Sequence, residues 1–353
     1  MQSEVGMGLA GLDCLGMEKP TRYIRLWLWT GIALVSAMVV IGGITRLTGS
    51  GLSIVEWKLI SGILPPLNAE QWQVSFDAYK QFPQYQKVNQ SITLSDFKQI
   101  YFWEYMHRLL GRIIGVLFLF PFLFFYHQGW LTRPLRIKLM VIFLLGALQG
   151  FIGWYMVKSG LIDIPHVSHF RLALHQSLAV LLIAFILWTV LSLERTENQT
   201  SPRFTVNMLA PIACLILLFF QIVLGAFVAG LKAGFSYTNF PLMEDSFFPL
   251  TGVVKSTPIL FNGVVLQFLH RWLAFVVVIS FFVLGYFSKA VPEVQRYIRM
   301  LIILGILQLL LGIATLMLRV PVVLGVAHQF LAILILMVIV AILYKFSNQV
   351  FER

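Results

Sequence analysis

Four histidines stand out in an otherwise apolar chain. His107, His175, His270 and His328 recur in the contexts HRLLG, HQSLA, HRWLA and HQFLA. Neutral imidazole is a strong axial ligand for haem iron. The residue four positions on is Gly111, Ala179, Ala274 or Ala332. Residues i and i+4 share a helix face, so a small residue there leaves room for a flat macrocycle against the backbone. Two histidines on facing helices of a bundle hold one iron from both sides, as cofactor sites in bundle cores do. Zinc is the competing metal, but the sequence has neither a local His/Cys/carboxylate cluster nor HExxH. A lone histidine in an apolar helix is ordinarily a satisfied polar contact; four in a repeated pattern at one depth read as ligands. His127, His166 and His169 read as ordinary loop residues.

One of the four contexts carries an extra charge. Glu104 stands three residues before His107, where Gln267 stands three before His270. At i, i+3 the carboxylate shares the face of His107 and can take or give protons at the edge of a macrocycle held there. It is also placed for a helix salt bridge to Arg108 at i+4, and the two roles are compatible. Arg108 and Arg271 follow their histidines, and Arg112 lies one turn beyond Arg108. These arginines either neutralise haem propionates or snorkel toward headgroups and polar neighbours.

The elements that must position these groups are membrane helices. The chain of 353 residues is 59% hydrophobic and 12% charged, where soluble domains have roughly 25% charged residues. Eight apolar stretches approach the roughly 20 residues of a membrane-spanning helix, at about 24–44, 101–126, 137–157, 172–193, 205–229, 264–288, 298–318 and 323–345. Each histidine is expected one to two turns inside an even-numbered helix, in one layer near the outer face.

The two halves repeat each other. VIGGITRLTGSGLS (40–53) matches VLGAFVAGLKAGFS (223–236), MHRLLGRIIGV (106–116) matches LHRWLAFVVVI (269–279), and LGALQGFIG (145–153) matches LGILQLLLG (304–312). LALHQSLAVLL (172–182) matches LGVAHQFLAIL when aligned on the histidine. The expected fold is therefore an all-α polytopic membrane protein of two tandem four-helix bundles. An even number of crossings gives both copies one orientation, related by a pseudo-twofold axis along the membrane normal. The expected organisation is a tail at 1–22, an N-terminal unit at 23–195 with a long outer loop at about 52–98, a linker at 196–203, a C-terminal unit at 204–346 and a tail at 347–353.

The net charge of +11 reports topology. With a cytoplasmic N-terminus the inner segments hold thirteen Lys and Arg, against five in the outer segments apart from the long loop. Short cytoplasmic loops are enriched in these residues, so both termini are expected to be cytoplasmic. Nucleic-acid binding has no support. Cys14 and Cys214 fall in the tail and in helix 5, so no outer-face disulfide is expected. The first nineteen residues contain Glu4, Asp13 and Glu18 and no Arg, unlike a mitochondrial transit peptide, and a bacterial inner membrane is the simplest location. GGITRLTGSG lacks the GK[ST] ending of a phosphate loop and reads as a helix end and turn. Gln149, Gln221 and Gln308, each four residues before a glycine, read as helix-to-helix hydrogen bonds.

GGITRLTGSGLSIVEW, FWEYMHRLLGR, RLALHQSLA, GAFVAGLKAGFSYTNFPLM, FLHRW and GVAHQ, in this order, resemble the haem A synthase family (CtaA/Cox15) of bacteria and mitochondria, over nearly the whole chain. The resemblance implies oxidation of the C8 methyl of haem O to a formyl group, giving haem A for terminal oxidases. It implies that His270 and His328 hold a resident haem b and that His107 and His175 bracket the substrate haem. Glu104 matches the family's catalytic carboxylate in its E-x-x-H motif. The chain lacks the outer-loop cysteine pair of one family type and resembles the cysteine-free type. Membrane lipid is an expected partner; a haem O synthase, an electron carrier and a second copy of the chain are partners this reading admits. Two other readings compete. A two-haem b-type cytochrome that only carries electrons needs two equivalent haems and no Glu104. A transporter built on the duplicated bundle needs a midplane site with broken helices.

Overall fold

The structure, a computed structural model, describes residues 6–57, 61–162, 164–194, 206–248 and 256–348, with side chains from Pro20 onward and not at residue 61. The expected linker at 196–203 and most of the expected C-terminal tail lie outside the described residues. Ten α-helices concern the site: α1 (Gly6–Leu47), α2 (Ala69–Lys80), α3 (Pro83–Lys87), α4 (Leu94–His127), α5 (Arg133–Ser159), α6 (His169–Leu193), α7 (Leu209–Gly230), α8 (Gly263–Phe287), α9 (Pro292–Met317) and α10 (Val322–Ser347). Eight helices are long and apolar enough to cross a membrane, and they coincide with the eight expected stretches. No strand forms among the described residues, only an isolated bridge between Met243 and Ser246.

α1 starts at Gly6 rather than near residue 24; closer to the site, α4 starts at Leu94 rather than near residue 101. A capping box explains it. The Thr93 hydroxyl accepts from Asp96 N at 3.3 Å and the Asp96 carboxylate accepts from Thr93 N at 2.9 Å, which satisfies two otherwise orphaned donors. His107 is consequently the fourteenth residue of its helix, more than three turns in, whereas His175, His270 and His328 are the seventh, eighth and seventh of theirs. The added turns of α4 rise beyond the histidine layer.

In the N-terminal half α1 packs on α4, α4 on α5, α5 on α6 and α6 on α1. The C-terminal half closes in the same order through α7, α8, α9 and α10. The histidine-bearing helices therefore stand on diagonals, α4 across from α6 and α8 across from α10. The two halves join through α6 on α7, α1 on α10 and α6 on α10. The α4 to α5 seam is much the looser of the two equivalent seams.

The apolar core occupies one end of this double bundle. On α6 nearly all buried residues run from Leu178 to Val190, and on α10 from Ile333 to Ser347. They pack with Ile24, Leu28 and Ile32 of α1, Leu135 and Leu139 of α5, and Phe281 and Leu284 of α8. These positions all lie on the side of the histidines away from the long loop. The helices are thus welded below the histidine layer and less tightly packed at it, which is where a planar group needs space.

The long loop forms a cap at the other end. Phe76, Tyr79 and Phe97 make its core, with Trp72, Tyr85 and Tyr101 packed around them. The buried Tyr79 hydroxyl donates to Gln84 Oε1 at 3.1 Å and accepts from Asn89 Nδ2 at 2.8 Å. Gln84 Nε2 donates to the Gly49 carbonyl at 2.7 Å, and the Tyr105 hydroxyl to the Ile63 carbonyl at 2.7 Å. The cap is thereby fastened to the end of α1 and to α4.

Candidate functional site

Each of the four histidines is backed by a glycine of the preceding spanning helix. A Cβ on Gly42 would lie 3.1 Å from His107 Nε2, and one on Gly153 would lie 2.9 Å from His175 Cε1. The corresponding distances are 3.0 Å from Gly225 to His270 Cε1 and 2.8 Å from Gly312 to His328 Cε1. The imidazoles lie against bare backbone, and any side chain at these glycines would push them away. The sequence reading placed the small residues that matter four positions after each histidine. Of these, Gly111 is filled from α1, where the Met38 side chain would meet its Cβ at 3.2 Å.

A second contact fixes the same crossings. Gln149 Nε2 donates to the His175 carbonyl at 3.1 Å, Gln221 Nε2 to the His270 carbonyl at 2.9 Å and Gln308 Nε2 to the His328 carbonyl at 3.0 Å. Each glutamine lies one turn before its glycine, so a single face of the helix supplies both the clamp and the flat surface. At the Gly42 to His107 crossing the glutamine position is Met38. The reading of these glutamines as helix-to-helix hydrogen bonds holds.

Two of these glutamine amides also lie 3.4 Å from imidazole nitrogens, Gln149 Nε2 from His175 Nε2 and Gln308 Nε2 from His328 Nε2. Nδ1 of His175, His270 and His328 is buried with no hydrogen-bond partner. The His107 imidazole makes no hydrogen bond to any described residue. The ring centroids of His270 and His328 are 6.4 Å apart, at 81° to each other. Two imidazoles sharing a metal from opposite sides, each at about 2 Å, put their centroids roughly 6 Å apart. Residues and spacing at this pair therefore fit a bis-histidine iron. No group of three or more His, Cys, Asp or Glu that would hold a bare metal ion occurs among the described residues.

The arginines that follow two of the histidines hold loops. Arg108 Nη2 donates to the Ile54 carbonyl at 2.7 Å and Nη1 to the Glu56 carbonyl at 3.0 Å. Arg271 Nη2 donates to the Tyr237 carbonyl at 2.6 Å and Nη1 to the Asn239 carbonyl at 2.9 Å. In the register that matches 40–53 to 223–236, these four carbonyls fall at two equivalent positions, 54 with 237 and 56 with 239. Each fork clamps the loop that leaves the first helix of its half.

Glu104 is 3% exposed and receives four hydrogen bonds. Its Oε2 accepts from Ser53 N at 2.7 Å, from Ser53 Oγ at 2.8 Å and from Ile54 N at 2.8 Å. Its Oε1 accepts from Arg108 Nη2 at 2.7 Å. The expected salt bridge is therefore present, and three loop donors join it. In the other half Gln267 Nε2 donates to the Tyr237 carbonyl at 2.8 Å while its Oε1 is buried without a partner. The same position is an acceptor of backbone N–H in one half and a donor to backbone C=O in the other.

Two residues that follow histidines meet between the halves: Gln329 Nε2 donates to Gln176 Oε1 at 3.3 Å. His169, expected to be an ordinary loop residue, begins α6 and meets the Leu260 carbonyl at 3.0 Å amid Phe170, Phe227 and Phe261. It joins the halves rather than the histidine layer. Cys214 is buried in α7, its thiol 3.5 Å from the Ser280 carbonyl.

Residues 25–340 match the model of the COX15-CtaA family, described as cytochrome oxidase assembly protein. The chain belongs to this family. Its similarity extends to whole relatives. It is 44% identical to the haem A synthase of Nitrosospira multiformis, over 86% of this chain and 87% of that protein. It is 42% identical to the haem A synthase of Flavobacterium johnsoniae, over 86% and 92% of the two chains. With the haem A synthase of Pelagibacter ubique the identity is 41%, over 93% and 97%. A COX15-CtaA protein with these eight helices is a multi-pass membrane protein.

Sequence reasoning missed the four backing glycines and the Ser53–Ile54 donors. The glycines had a signal, their fixed spacing from Gln149, Gln221 and Gln308. The donors had only a weaker one, the recurrence of the GxS ending in both halves, GLS at 51–53 and GFS at 234–236.

Proposed function

We propose that this protein is a haem A synthase, an oxidoreductase that converts the C8 methyl of haem O to a formyl group. The conversion removes four electrons from the methyl, which pass to an acceptor outside this chain. The methyl is hydroxylated in succession with oxygen from outside the protein, and the geminal diol loses water. Support comes from the whole-length similarity to proteins of that name, together with the two diagonal histidine pairs. In this reading His270 and His328 hold a resident haem b, and His107 and His175 bracket the substrate haem. The resident haem, when bound, supplies one-electron relay chemistry. The observation that carries the reading is the asymmetry at one position, Glu104 in the first half and Gln267 at the equivalent position of the second.

The chain's own residues do the following. Gly153 and Gly312 present flat backbone that sets the planes of His175 and His328, and Gln149 and Gln308 fix the depth of those helices. Ser53 and Ile54 orient the Glu104 carboxylate through Oε2. Oε1 accepts only from Arg108, which leaves lone-pair capacity to receive or return a proton at the reacting methyl. The cap shields that carboxylate from bulk water. The substrate comes from the lipid through the loose α4 to α5 seam, with its farnesyl tail remaining in the bilayer. The capped end faces outward, and the membrane is a bacterial inner membrane.

The test is Glu104→Gln in the full-length protein. Haem A production is expected to fall to background while the haem b spectrum is retained; unchanged haem A production overturns the role of Glu104. Pigment extracted from the wild-type protein is expected to contain haem b together with haem O or haem A. Two equivalents of haem b alone would instead identify an electron-carrying cytochrome.

A further inference from the structure

Arg46 lies in the stretch GGITRLTGSG, four residues after Gly42. Its counterpart in the second half is Ala229, so the charge belongs to the capped half alone. The side chain is half-buried and donates to no described residue. Its backbone neighbourhood does not call for a cation. The carbonyls at the end of α1 are already satisfied, by Thr48 N on Ile44, Gly49 N on Arg46 and Ser50 N on Thr45, at 2.9, 3.1 and 2.8 Å. Residues i and i+4 share a face, and side chains lean toward the helix N-terminus. Arg46 therefore leans back over the turn of Gly42, whose backbone faces His107. Thr45, the next residue back, hydrogen-bonds across to the Trp103 carbonyl of α4 at 3.1 Å, which fixes that side of α1 against the histidine helix.

The two arginines that directly follow histidines are used differently. Arg108 and Arg271 turn both terminal nitrogens of their forks to loop carbonyls. We propose that Arg46 binds a propionate carboxylate of the substrate haem and so sets which edge of the macrocycle faces the cap. This rests on the substrate-half reading above. A guanidinium fork suits a carboxylate, and a charge-assisted pair under cover is stronger than one in water. The chemistry of haem O makes the orientation productive, because the C8 methyl adjoins a propionate-bearing position on the ring. Holding that propionate at the end of α1 keeps the methyl at the same end as Glu104.

The experiment compares haem O with its propionate dimethyl ester, titrated by absorbance into full-length protein purified from cells that make no haem O. Wild type is expected to favour the diacid by about tenfold or more, the size of one charge-assisted hydrogen bond. In Arg46→Gln the preference should collapse to near unity, with the resident haem b spectrum unchanged. Arg46→Met is read in the same way if the glutamine variant is unstable. A preference as large in the variant as in wild type overturns the proposal. So does a wild type blind to esterification, which would leave Arg46 to a lipid phosphate. A preference lost in Arg112→Gln and kept in Arg46→Gln overturns it too. If His107→Ala and His175→Ala both leave the haem O spectrum unchanged, the substrate-half reading itself has failed, and this is distinct from failure at Arg46.

Discussion

Gln176 and Gln329 follow His175 and His328 in sequence and meet between the two halves, Gln329 Nε2 donating to Gln176 Oε1 at 3.3 Å. Polar side chains act as glue between membrane helices, with a mean worth of about 0.6 kcal/mol. Gln329 also faces the bare backbone of Gly43, where a Cβ would lie 2.7 Å from its Oε1. The pair therefore ties α6, α10 and α1 together at the depth of the histidines. Gln176→Leu and Gln329→Leu are each expected to lower the thermal midpoint of haem b release by a few degrees. The double variant should cost less than the sum of the singles, because the second change removes a partner already lost. Additive effects in that cycle would show that the hydrogen bond does not couple the halves.

The glycines that back the histidines predict a split between the two pairs. In Gly312→Ala the new methyl meets His328 at 2.8 Å, closer than carbon atoms pack, and the imidazole must move. Haem b content, read as the pyridine haemochrome, is expected to drop severalfold. In Gly153→Ala the contact is with His175 at 2.9 Å, and haem b should be retained while haem A production falls. Equal loss of haem b in both variants would contradict the assignment of one pair to a resident group and the other to substrate.

Ser53 tests the orientation of Glu104 without removing the carboxylate. Ser53→Ala deletes the hydroxyl donor to Oε2 but leaves the backbone donors of Ser53 and Ile54. Hydrogen bonds to charged groups contribute about 1.5–3 kcal/mol, so haem A formation should fall about tenfold, with haem b untouched. Ser236 is the counterpart in the repeat and is exposed, and Ser236→Ala should have no effect. A comparable loss in both variants would mean that the serines serve loop folding in general.

The sequence made the eight spans and the histidine layer legible because apolar run length and repeated contexts are local patterns. It misplaced the start of α4, although Thr93 to Asp96 is a capping-box pattern, since hydropathy alone locates the membrane-crossing part of a helix and not its extension above. The contacts of Glu104 were half legible. The i+4 pairing with Arg108 follows from helix geometry, whereas the donors from Ser53 and Ile54 come from a loop fifty residues away whose path depends on tertiary packing. The backing glycines lay in plain view, but which helix presses on which imidazole is set by the closing of each four-helix ring. The loop carbonyls that Arg108 and Arg271 reach are set by the path of the loops, which no spacing rule specifies.

The cap offers a last prediction. Tyr79 is fully buried, and its hydroxyl links Gln84 to Asn89, while Gln84 reaches on to the Gly49 carbonyl at the end of α1. Tyr79→Phe keeps the ring packing with Phe97 and Tyr85 and removes only the oxygen. Gln84 Oε1 and Asn89 Nδ2 then lose their partner, and a buried polar group left unsatisfied costs about 1–3 kcal/mol. That cost falls on the cap and its tie to α1, because the apolar core that welds the bundle lies at the opposite end. The cap of the variant should be cut faster by protease added to the detergent-solubilised protein, with haem b absorbance unchanged and haem O bound more weakly. Wild-type cleavage rates with weakened haem O binding would place the effect in the substrate site itself. Loss of haem b would show that the cap and the far half unfold as one unit.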